Sequence, residues 1–195
     1  MSTADHVDAS KRDFLYIATG AVGAVGAAMT VWPLINQMNP DASVKALATV
    51  EIDLAAVVEG QEIKVFWRGN PVIIRNRTAK EIEAAKAVKI DELKDGDARS
   101  QVSKEGGAAT DENRTVKDHE NFLVMMGVCT HLGCVPIGGE GEFALVEGSV
   151  KTGGWYCPCH GSHYDTAGRI RKGPAPENLP VPPYAFISDT KIRIG

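Results

Sequence analysis

Three absences narrow what this sequence can encode. It has no internal repeat and no stretch of clustered lysine and arginine, and its formal net charge is -4. These features give no reason to expect a nucleic-acid partner. Cysteine is missing outside residues 129–159, where all four cysteines of the 195-residue chain lie. This clustering argues against a disulfide scaffold spread through the fold and indicates one local site.

Charge is also missing from residues 14–40, and residues 14–35 are almost wholly apolar. About 20 such residues can cross the hydrocarbon core of a membrane as a helix. The glycines and alanines in the run are common where membrane helices pack closely. Because a basic pair precedes the run, the N-terminal end should be cytoplasmic. We therefore predict a cytoplasmic tail at 1–13 and a transmembrane anchor at 14–38.

A cleaved secretory signal is the alternative explanation for the apolar run. A possible cleavage motif, Ala46-Leu47-Ala48, lies well beyond the run. The run also exceeds the usual signal core of about 7–15 residues, which favours an uncleaved anchor. Residues 10–15 resemble the twin-arginine (Tat) export signal, with Lys11 in place of its first arginine. That pathway exports folded proteins.

The rest of the chain has the pattern of a small, mainly β protein. Residues 39–49 contain Pro40 and small residues, which predicts a flexible linker. Residues 50–195 then form the soluble domain. Strand-like composition predicts strands at 49–57, 62–67, 72–75 and 122–128, and a closing hairpin of 184–187 with 191–194.

Two features interrupt this pattern of strands. Thr78 and Glu81 have the spacing of a capping box, so they predict a short helix that continues to about residue 88. Residues 89–121 are charged and glycine-rich, with few large apolar side chains. We predict a long surface excursion there.

Two short segments concentrate the side chains that bind metals. They are Cys129-Thr130-His131-Leu132-Gly133-Cys134 and Cys157-Pro158-Cys159-His160-Gly161-Ser162-His163-Tyr164. Three interpretations compete: a zinc site with two cysteines and two histidines, a disulfide with bystander histidines, and a binuclear iron–sulfur cluster bound by two cysteines and two histidines. The zinc interpretation leaves two cysteines unused, and the disulfide interpretation leaves the paired histidines unexplained. The cluster interpretation accounts for all of these residues.

Both segments resemble, nearly residue for residue, the cluster loops of the Rieske iron–sulfur proteins of cytochrome bc complexes. The resemblance extends to residues 11–15, to the anchor, to residues 46–49 and to residues 173–176. It implies an antiparallel β Rieske-type domain with an inserted cluster-binding subdomain at about 127–176. That subdomain would hold one [2Fe-2S] cluster per subunit.

The resemblance also implies roles for individual residues. The expected cluster ligands are Cys129, His131, Cys157 and His160, and the expected disulfide joins Cys134 to Cys159. By the same resemblance, the hydroxyl groups of Ser162 and Tyr164 donate hydrogen bonds to the cluster or to cysteine sulfurs. His160 and His131 are the expected catalytic residues, and Leu132 is expected at the apolar docking tip. Residues 140–154 and Lys11 depart from the family pattern.

The function that the resemblance implies is electron transfer in a quinol–cytochrome c oxidoreductase. The expected partners are a cytochrome b subunit, a c-type cytochrome and ubiquinol, in a dimeric complex. The expected location is a bacterial inner membrane, crossed once, with the soluble domain on the periplasmic side. Two alternatives are the Rieske small subunit of another exported enzyme such as arsenite oxidase, and a structural zinc domain on a membrane stalk.

Neutral imidazole ligands explain why such a site accepts electrons. Two ferric ions, two sulfides and two thiolates sum to zero charge, whereas four thiolates would make the oxidised cluster anionic. Mixed ligation accordingly gives potentials of about -150 to +300 mV, against about -400 mV for plant-type all-cysteine clusters. Each histidine keeps one ring nitrogen free, so electron uptake should be accompanied by proton uptake.

The linker hypothesis leads to a testable prediction. We expect the double variant Ala46→Pro, Ala48→Pro to slow turnover with an unchanged cluster spectrum, because a stiffened linker would hinder motion of the soluble domain. Steady-state reduction of cytochrome c by ubiquinol measures the turnover. Wild-type turnover in the double variant would contradict the hypothesis.

Overall fold

A computed structural model describes residues 9–41, 48–102, 107–139 and 153–195. The chain divides into two compact units, Met1–Lys45 and Ala46–Gly195. The first residues of the predicted tail, most of the predicted linker and nearly all of the segment 140–154 lie outside the described residues. The domain boundaries given above therefore stay predictions.

The first unit contains one long helix, α1, which spans Ala9–Asn36. It therefore begins inside the stretch predicted as a tail. None of its residues is buried, and by length and composition it could cross a membrane. Pro33 lies inside the helix, one turn before its end. The hydroxyl of Thr30 donates to the carbonyl oxygen of Gly26 at 2.8 Å, so this polar group is satisfied within the helix.

The described residues of the second unit form three antiparallel sheets. The first has the order β1-β10-β9, the second β2-β3-β4 and the third β5-β6-β7-β8. Their strands are β1 (Val50–Asp53), β2 (Glu62–Trp67), β3 (Asn70–Asn76), β4 (Phe122–Met126), β5 (Ile137–Gly139), β6 (Gly154–Cys157), β7 (Ser162–Tyr164), β8 (Ile170–Lys172), β9 (Tyr184–Ser188) and β10 (Lys191–Ile194). The mainly β fold predicted from the sequence is confirmed.

Strand β3 is buried on both faces and is shared by two hydrophobic cores. Val72 and Ile74 pack in a core with β1, β9 and β10. Ile73, which points the other way, packs in a second core with Leu123 and Met125 of β4. Because alternate residues of a strand face opposite sides, both faces can be apolar only in a continuous apolar run such as this one. Strand β3 therefore packs against the sheet β1-β10-β9 on one face and against the sheet β5-β6-β7-β8 on the other.

Most predicted elements are present, several with shorter bounds. The predicted strand at 62–67 is β2, and the closing hairpin pairs β9 with β10 in an antiparallel register. The predicted strands at 49–57 and 122–128 shorten to β1 and β4.

The predicted capping box also forms. Helix α2 spans Ala79–Ala87, the side chain of Thr78 accepts a hydrogen bond from the backbone N–H of Glu81 at 3.3 Å, and the Glu81 carboxylate accepts from the Thr78 N–H at 2.8 Å.

The prediction of a surface excursion at 89–121 is wrong for much of the described part of that segment. Ala98, Ala109, Asp111 and Arg114 are buried. The segment packs through hydrogen bonds of buried polar groups, so it is buried although it has few large apolar side chains. Composition alone pointed to solvent, since buried charged groups are rare unless they are paired.

Arg114 shows how this packing works. Its side chain is fully buried and donates to the carbonyl oxygens of Ala167 at 2.7 Å, of Leu179 at 2.6 Å and of Ala98. Burial lowers the pKa of Arg114 to about 10, so the guanidinium remains charged at neutral pH. It joins the segment 89–121 to the backbone on either side of β8.

A second buried arginine fixes the start of α2. Arg77 forms a two-pronged ion pair with Asp111, at 2.6 and 3.1 Å, and neither side chain is exposed. Paired geometry of this kind matches the planar guanidinium to a carboxylate. Two buried charged side chains of the segment 89–121, Asp111 and Arg114, thus attach it to the rest of the domain.

The capping box gives a stability prediction. We expect Thr78→Ala to lower the free energy of unfolding by about 1 kcal/mol, because the N–H of Glu81 loses its side-chain acceptor. The measurement is the denaturant midpoint of the detergent-solubilised protein at constant slope. Lys80→Ala, an exposed position in the same helix, is the control and should change stability by less than about 0.5 kcal/mol. Equal midpoints for the two variants would refute the role of the cap.

Candidate metal centre

The first metal-binding segment begins where β4 ends. Gly127 follows directly after β4 and lies close to Ile73. A Cβ added at Gly127 would lie 3.0 Å from the Ile73 side chain. The loop then closes on itself: the N–H of Cys129 donates to the carbonyl oxygen of Cys134 at 2.8 Å, and the N–H of Gly133 donates to that of Cys129 at 2.9 Å. Gly133 has a φ of 84°, which favours glycine. These hydrogen bonds bring the two ends of the segment 129–134 together.

The second segment is the turn between β6 and β7. Cys157 ends β6 and pairs with Ser162 at the start of β7. The N–H of Gly161 donates to the carbonyl oxygen of Cys157 at 3.0 Å, and Gly161 has a φ of 74°. Cys159 and His160 therefore lie in the turn itself, and both are exposed.

A disulfide joins the two segments. The structure forms the bond between Cys134 and Cys159 that the family resemblance implied. Cys129 and Cys157 stay free, and both are buried. The sulfur atoms of Cys134, Cys157 and Cys159 lie within 4.8 Å of one another, but only Cys157 among them can supply a thiolate, since the other two share the disulfide.

The structure also brings the two histidines together. The rings of His131 and His160 have centroids 4.7 Å apart and are nearly perpendicular, at 89°. The free thiols of Cys129 and Cys157 are buried in the same hydrophobic core. The described residues thus offer two buried thiols and two imidazoles on loops that a disulfide joins. This set of donors suits mixed ligation of an iron–sulfur cluster, and by chemistry alone it would also suit zinc.

The two free thiols have opposite pKa shifts. Burial raises the pKa of Cys129, but hydrogen bonds from Tyr164, from the backbone of His131 and from Cys157 and Ser162 outweigh it, so the pKa is lowered. Burial and the neighbouring Cys129 raise the pKa of Cys157 more than backbone hydrogen bonds lower it. A cation bound between them would deprotonate both, because the thiolate is the ligand form.

Ser162 and Tyr164 lie on the face of β7 that points to the cysteines. Both are buried. The phenol oxygen of Tyr164 lies 3.3 Å from the sulfur of Cys129 and accepts a hydrogen bond from the backbone N–H of Thr130 at 3.3 Å. Burial raises the pKa of Tyr164, so the phenol remains protonated and can donate to sulfur.

His163 points to the opposite face of the same strand. Its ring contacts Tyr156, with centroids 4.8 Å apart. Burial, with a further contribution from Lys172, lowers its pKa. The sequence analysis did not assign it to the site, and the alternation of β7 keeps it away from the cysteines.

Residues 173–176 pack over the second segment. Gly173 has a φ of 97°, and an added Cβ would lie 2.5 Å from the carbonyl oxygen of Gly161. The N–H of Ala175 donates to the hydroxyl oxygen of Ser162 at 3.1 Å. This close approach explains why a residue without a side chain is required at position 173.

Two residues that the sequence analysis did not single out also donate hydrogen bonds in this region. The hydroxyl of Thr130 donates to the carbonyl oxygen of Glu177 at 2.7 Å. The ammonium group of Lys94 donates to the carbonyl oxygens of Gly173 and Ala175 at 2.9 and 2.8 Å. Thr130 could have been noticed because it lies between two candidate ligands. Lys94 carries no local signal, since its partners lie 79 and 81 residues away.

An exposed apolar side chain lies in the first metal-binding segment. Leu132, which follows His131, is 71% exposed. Val135 and Ile137 are also exposed, at 44% and 43%. His160 is also exposed, whereas the free thiols of Cys129 and Cys157 are buried.

Comparisons with known proteins identify the family. Residues 83–183 match the family model described as Rieske [2Fe-2S] domain. Residues 1–41 match the model described as Ubiquitinol-cytochrome C reductase Fe-S subunit TAT signal.

Curated relatives match along the whole chain. The ubiquinol-cytochrome c reductase iron-sulfur subunit of Bradyrhizobium diazoefficiens is 52% identical, with 100% of this chain and 98% of that protein covered. The subunit of the same name from Cereibacter sphaeroides is also 52% identical, with 100% of both chains covered. The chain therefore belongs to the Rieske [2Fe-2S] family, and within it to the iron–sulfur subunits of ubiquinol–cytochrome c reductases.

Proposed function

We propose that this chain is the electron-transfer subunit of a bacterial cytochrome bc complex, in which it takes electrons from ubiquinol and passes them to a c-type cytochrome. The proposal rests on similarity along the full chain to relatives named ubiquinol-cytochrome c reductase iron-sulfur subunit. It distinguishes this assignment from the Rieske subunit of another exported enzyme such as an arsenite oxidase.

The proposed cluster ligands are Cys129 and Cys157 on one iron and His131 and His160 on the other. The burial of the two thiols, the proximity of the two imidazole rings, and the disulfide that removes the other two cysteines from competition support this assignment. When bound, such a cluster supplies one-electron redox chemistry at about -150 to +300 mV.

The residues of the chain divide the remaining tasks. His160 is exposed, so the ring nitrogen that is not used for ligation can accept a hydrogen bond, and then the proton, from the quinol hydroxyl. Leu132 presents its apolar side chain next to His131 and would exclude water from the docked surface. The buried thiols of Cys129 and Cys157 stay shielded from solvent on the inner side of the site.

The proposed setting is the bacterial inner membrane. Helix α1 would cross it once, with the soluble domain on the periplasmic side and the N-terminus in the cytoplasm. The match of residues 1–41 to a Tat signal supports export of a folded domain. A cytochrome b subunit would supply the quinol-oxidation site, the linker at 39–49 would let the domain move to the c-type cytochrome, and the assembly would be a dimer.

Metal and sulfide analysis of the purified chain tests the proposal. We expect iron and acid-labile sulfide in equal amounts and a rhombic EPR signal after reduction, together with co-purification of cytochrome b. Zinc without labile sulfide would mean a structural zinc domain instead. A molybdenum subunit in place of cytochrome b would identify an arsenite-oxidase type of enzyme.

The hydrogen bonds to sulfur give a second prediction. Ser162→Ala and Tyr164→Phe should each keep the cluster but lower its midpoint potential by roughly 60–130 mV. This range corresponds to the loss of a hydrogen bond to a charged group, worth about 1.5–3 kcal/mol, which favours the more negative reduced form.

Redox titration followed by EPR measures these potentials. Tyr156→Phe is the matched control, because Tyr156 lies on β6 and contacts His163 on the face away from the cysteines. Its midpoint should equal that of the wild type. Unchanged midpoints in both Ser162→Ala and Tyr164→Phe would refute the proposed tuning role.

A further inference from the structure

Lys94 contacts the loop over the metal centre from a distant part of the sequence. Its Nζ atom lies 2.9 Å from the carbonyl oxygen of Gly173 and 2.8 Å from that of Ala175. These two oxygens flank Pro174, so one ammonium group spans the turn of the loop. A charged donor makes stronger hydrogen bonds than a neutral one.

The backbone next to Lys94 is itself fixed. The carboxylate of Asp95 accepts a hydrogen bond from the N–H of Asn178 at 2.9 Å, and the carbonyl oxygen of Asp95 accepts from the Asn178 side chain at 2.9 Å. Asn178 is fully buried and also accepts from the N–H of Ile170 at 2.8 Å. The backbone that carries Lys94 is therefore held in place by its neighbour Asp95.

The loop that Lys94 contacts acts directly on Ser162. The N–H of Ala175 donates to the Ser162 hydroxyl oxygen at 3.1 Å. When that oxygen accepts a hydrogen bond, the Ser162 hydroxyl hydrogen can be directed toward the cysteine sulfurs, because Ser162 is buried and pairs with Cys157 across β6 and β7. A shift of Ala175 would therefore weaken the contact between Ser162 and a proposed cluster ligand.

We propose that Lys94 is a positioning residue that holds residues 173–175 against Ser162 and thereby helps to set the potential of the cluster. This inference rests on the proposed function. It gives the segment 89–121 a role in redox tuning as well as in packing.

The test replaces the ammonium group without touching the site. In detergent-solubilised holoprotein, Lys94→Met should lower the midpoint potential and increase hydrogen exchange in the peptide that covers residues 173–178. Pro174 and Pro176 have no amide hydrogen, so few amides besides that of Ala175 contribute to this signal. Because Lys94 is exposed, we expect a moderate change of about three- to fivefold in exchange rate.

Two further variants separate positioning from charge. Lys94→Arg keeps a charged donor and should restore most of both measurements. Lys80→Met removes an exposed lysine from α2 and should change neither. Should Lys94→Met fail to assemble the cluster, Lys94→Gln, which keeps a neutral donor, provides the same two measurements.

Titration at low salt and at about 1 M salt decides the mechanism. A positioning effect should persist at high salt, whereas the field of an exposed charge is screened there. A midpoint shift that vanishes at high salt, with wild-type exchange, would overturn the inference. So would wild-type exchange and wild-type midpoint in a variant that carries the cluster. Failure of the proposed function would look different, because the wild-type chain itself would then lack labile sulfide.

Discussion

The disulfide between Cys134 and Cys159 is the constraint on which the arrangement of the site depends. It closes a loop with a sequence separation of 25 residues, which in the chain-entropy description stabilises the folded state by about 3.5 kcal/mol. Its chemical effect is as important as its effect on stability. Of the four cysteines, it leaves two as thiols, and both of these are buried. The disulfide thus fixes which sulfur atoms can act as ligands and how far apart the two loops can move.

Buried strands and a buried arginine fix the backbone near the two loops. Strand β3 contributes to both cores, so the loop that follows β4 starts from a layer that is buried on both sides. On the other side, Arg114 binds the carbonyl oxygens of Ala167 and Leu179, which flank β8. Backbone carbonyls that are held by a buried cation cannot shift without leaving the charge unpaired, which is costly. The two metal-binding loops are short, and each connects two strands: the first lies between β4 and β5, and the second between β6 and β7.

The sequence allowed much of this to be predicted because the informative residues are local. Thr78 and Glu81 are three positions apart and form the capping box in the structure. The cysteine and histidine pairs lie within two segments, and their spacing limited the chemistry to three possibilities before the family resemblance narrowed it. The prediction for the segment 89–121 failed because the partners of its residues are distant in sequence. Arg77 pairs with Asp111 over 34 positions, and Lys94 reaches Gly173 over 79. No local pattern of charge distinguishes a buried long-range partner from a solvated side chain.

The site is exposed unevenly, and this unevenness is what a proton-coupled electron carrier requires. The thiols lie in the second core with Trp155 and Ile170, where water cannot compete for hydrogen bonds to sulfur. His160 lies at the surface, where a substrate hydroxyl can reach it. If the imidazoles were buried as well, the group proposed to accept the proton would be sealed from its donor. If the thiols were exposed, the hydrogen bonds proposed from Tyr164 and Ser162 would compete with water and lose most of their proposed effect on the potential. The alternation of β7 allows both conditions, because it directs Ser162 and Tyr164 inward while the preceding turn carries His160 outward.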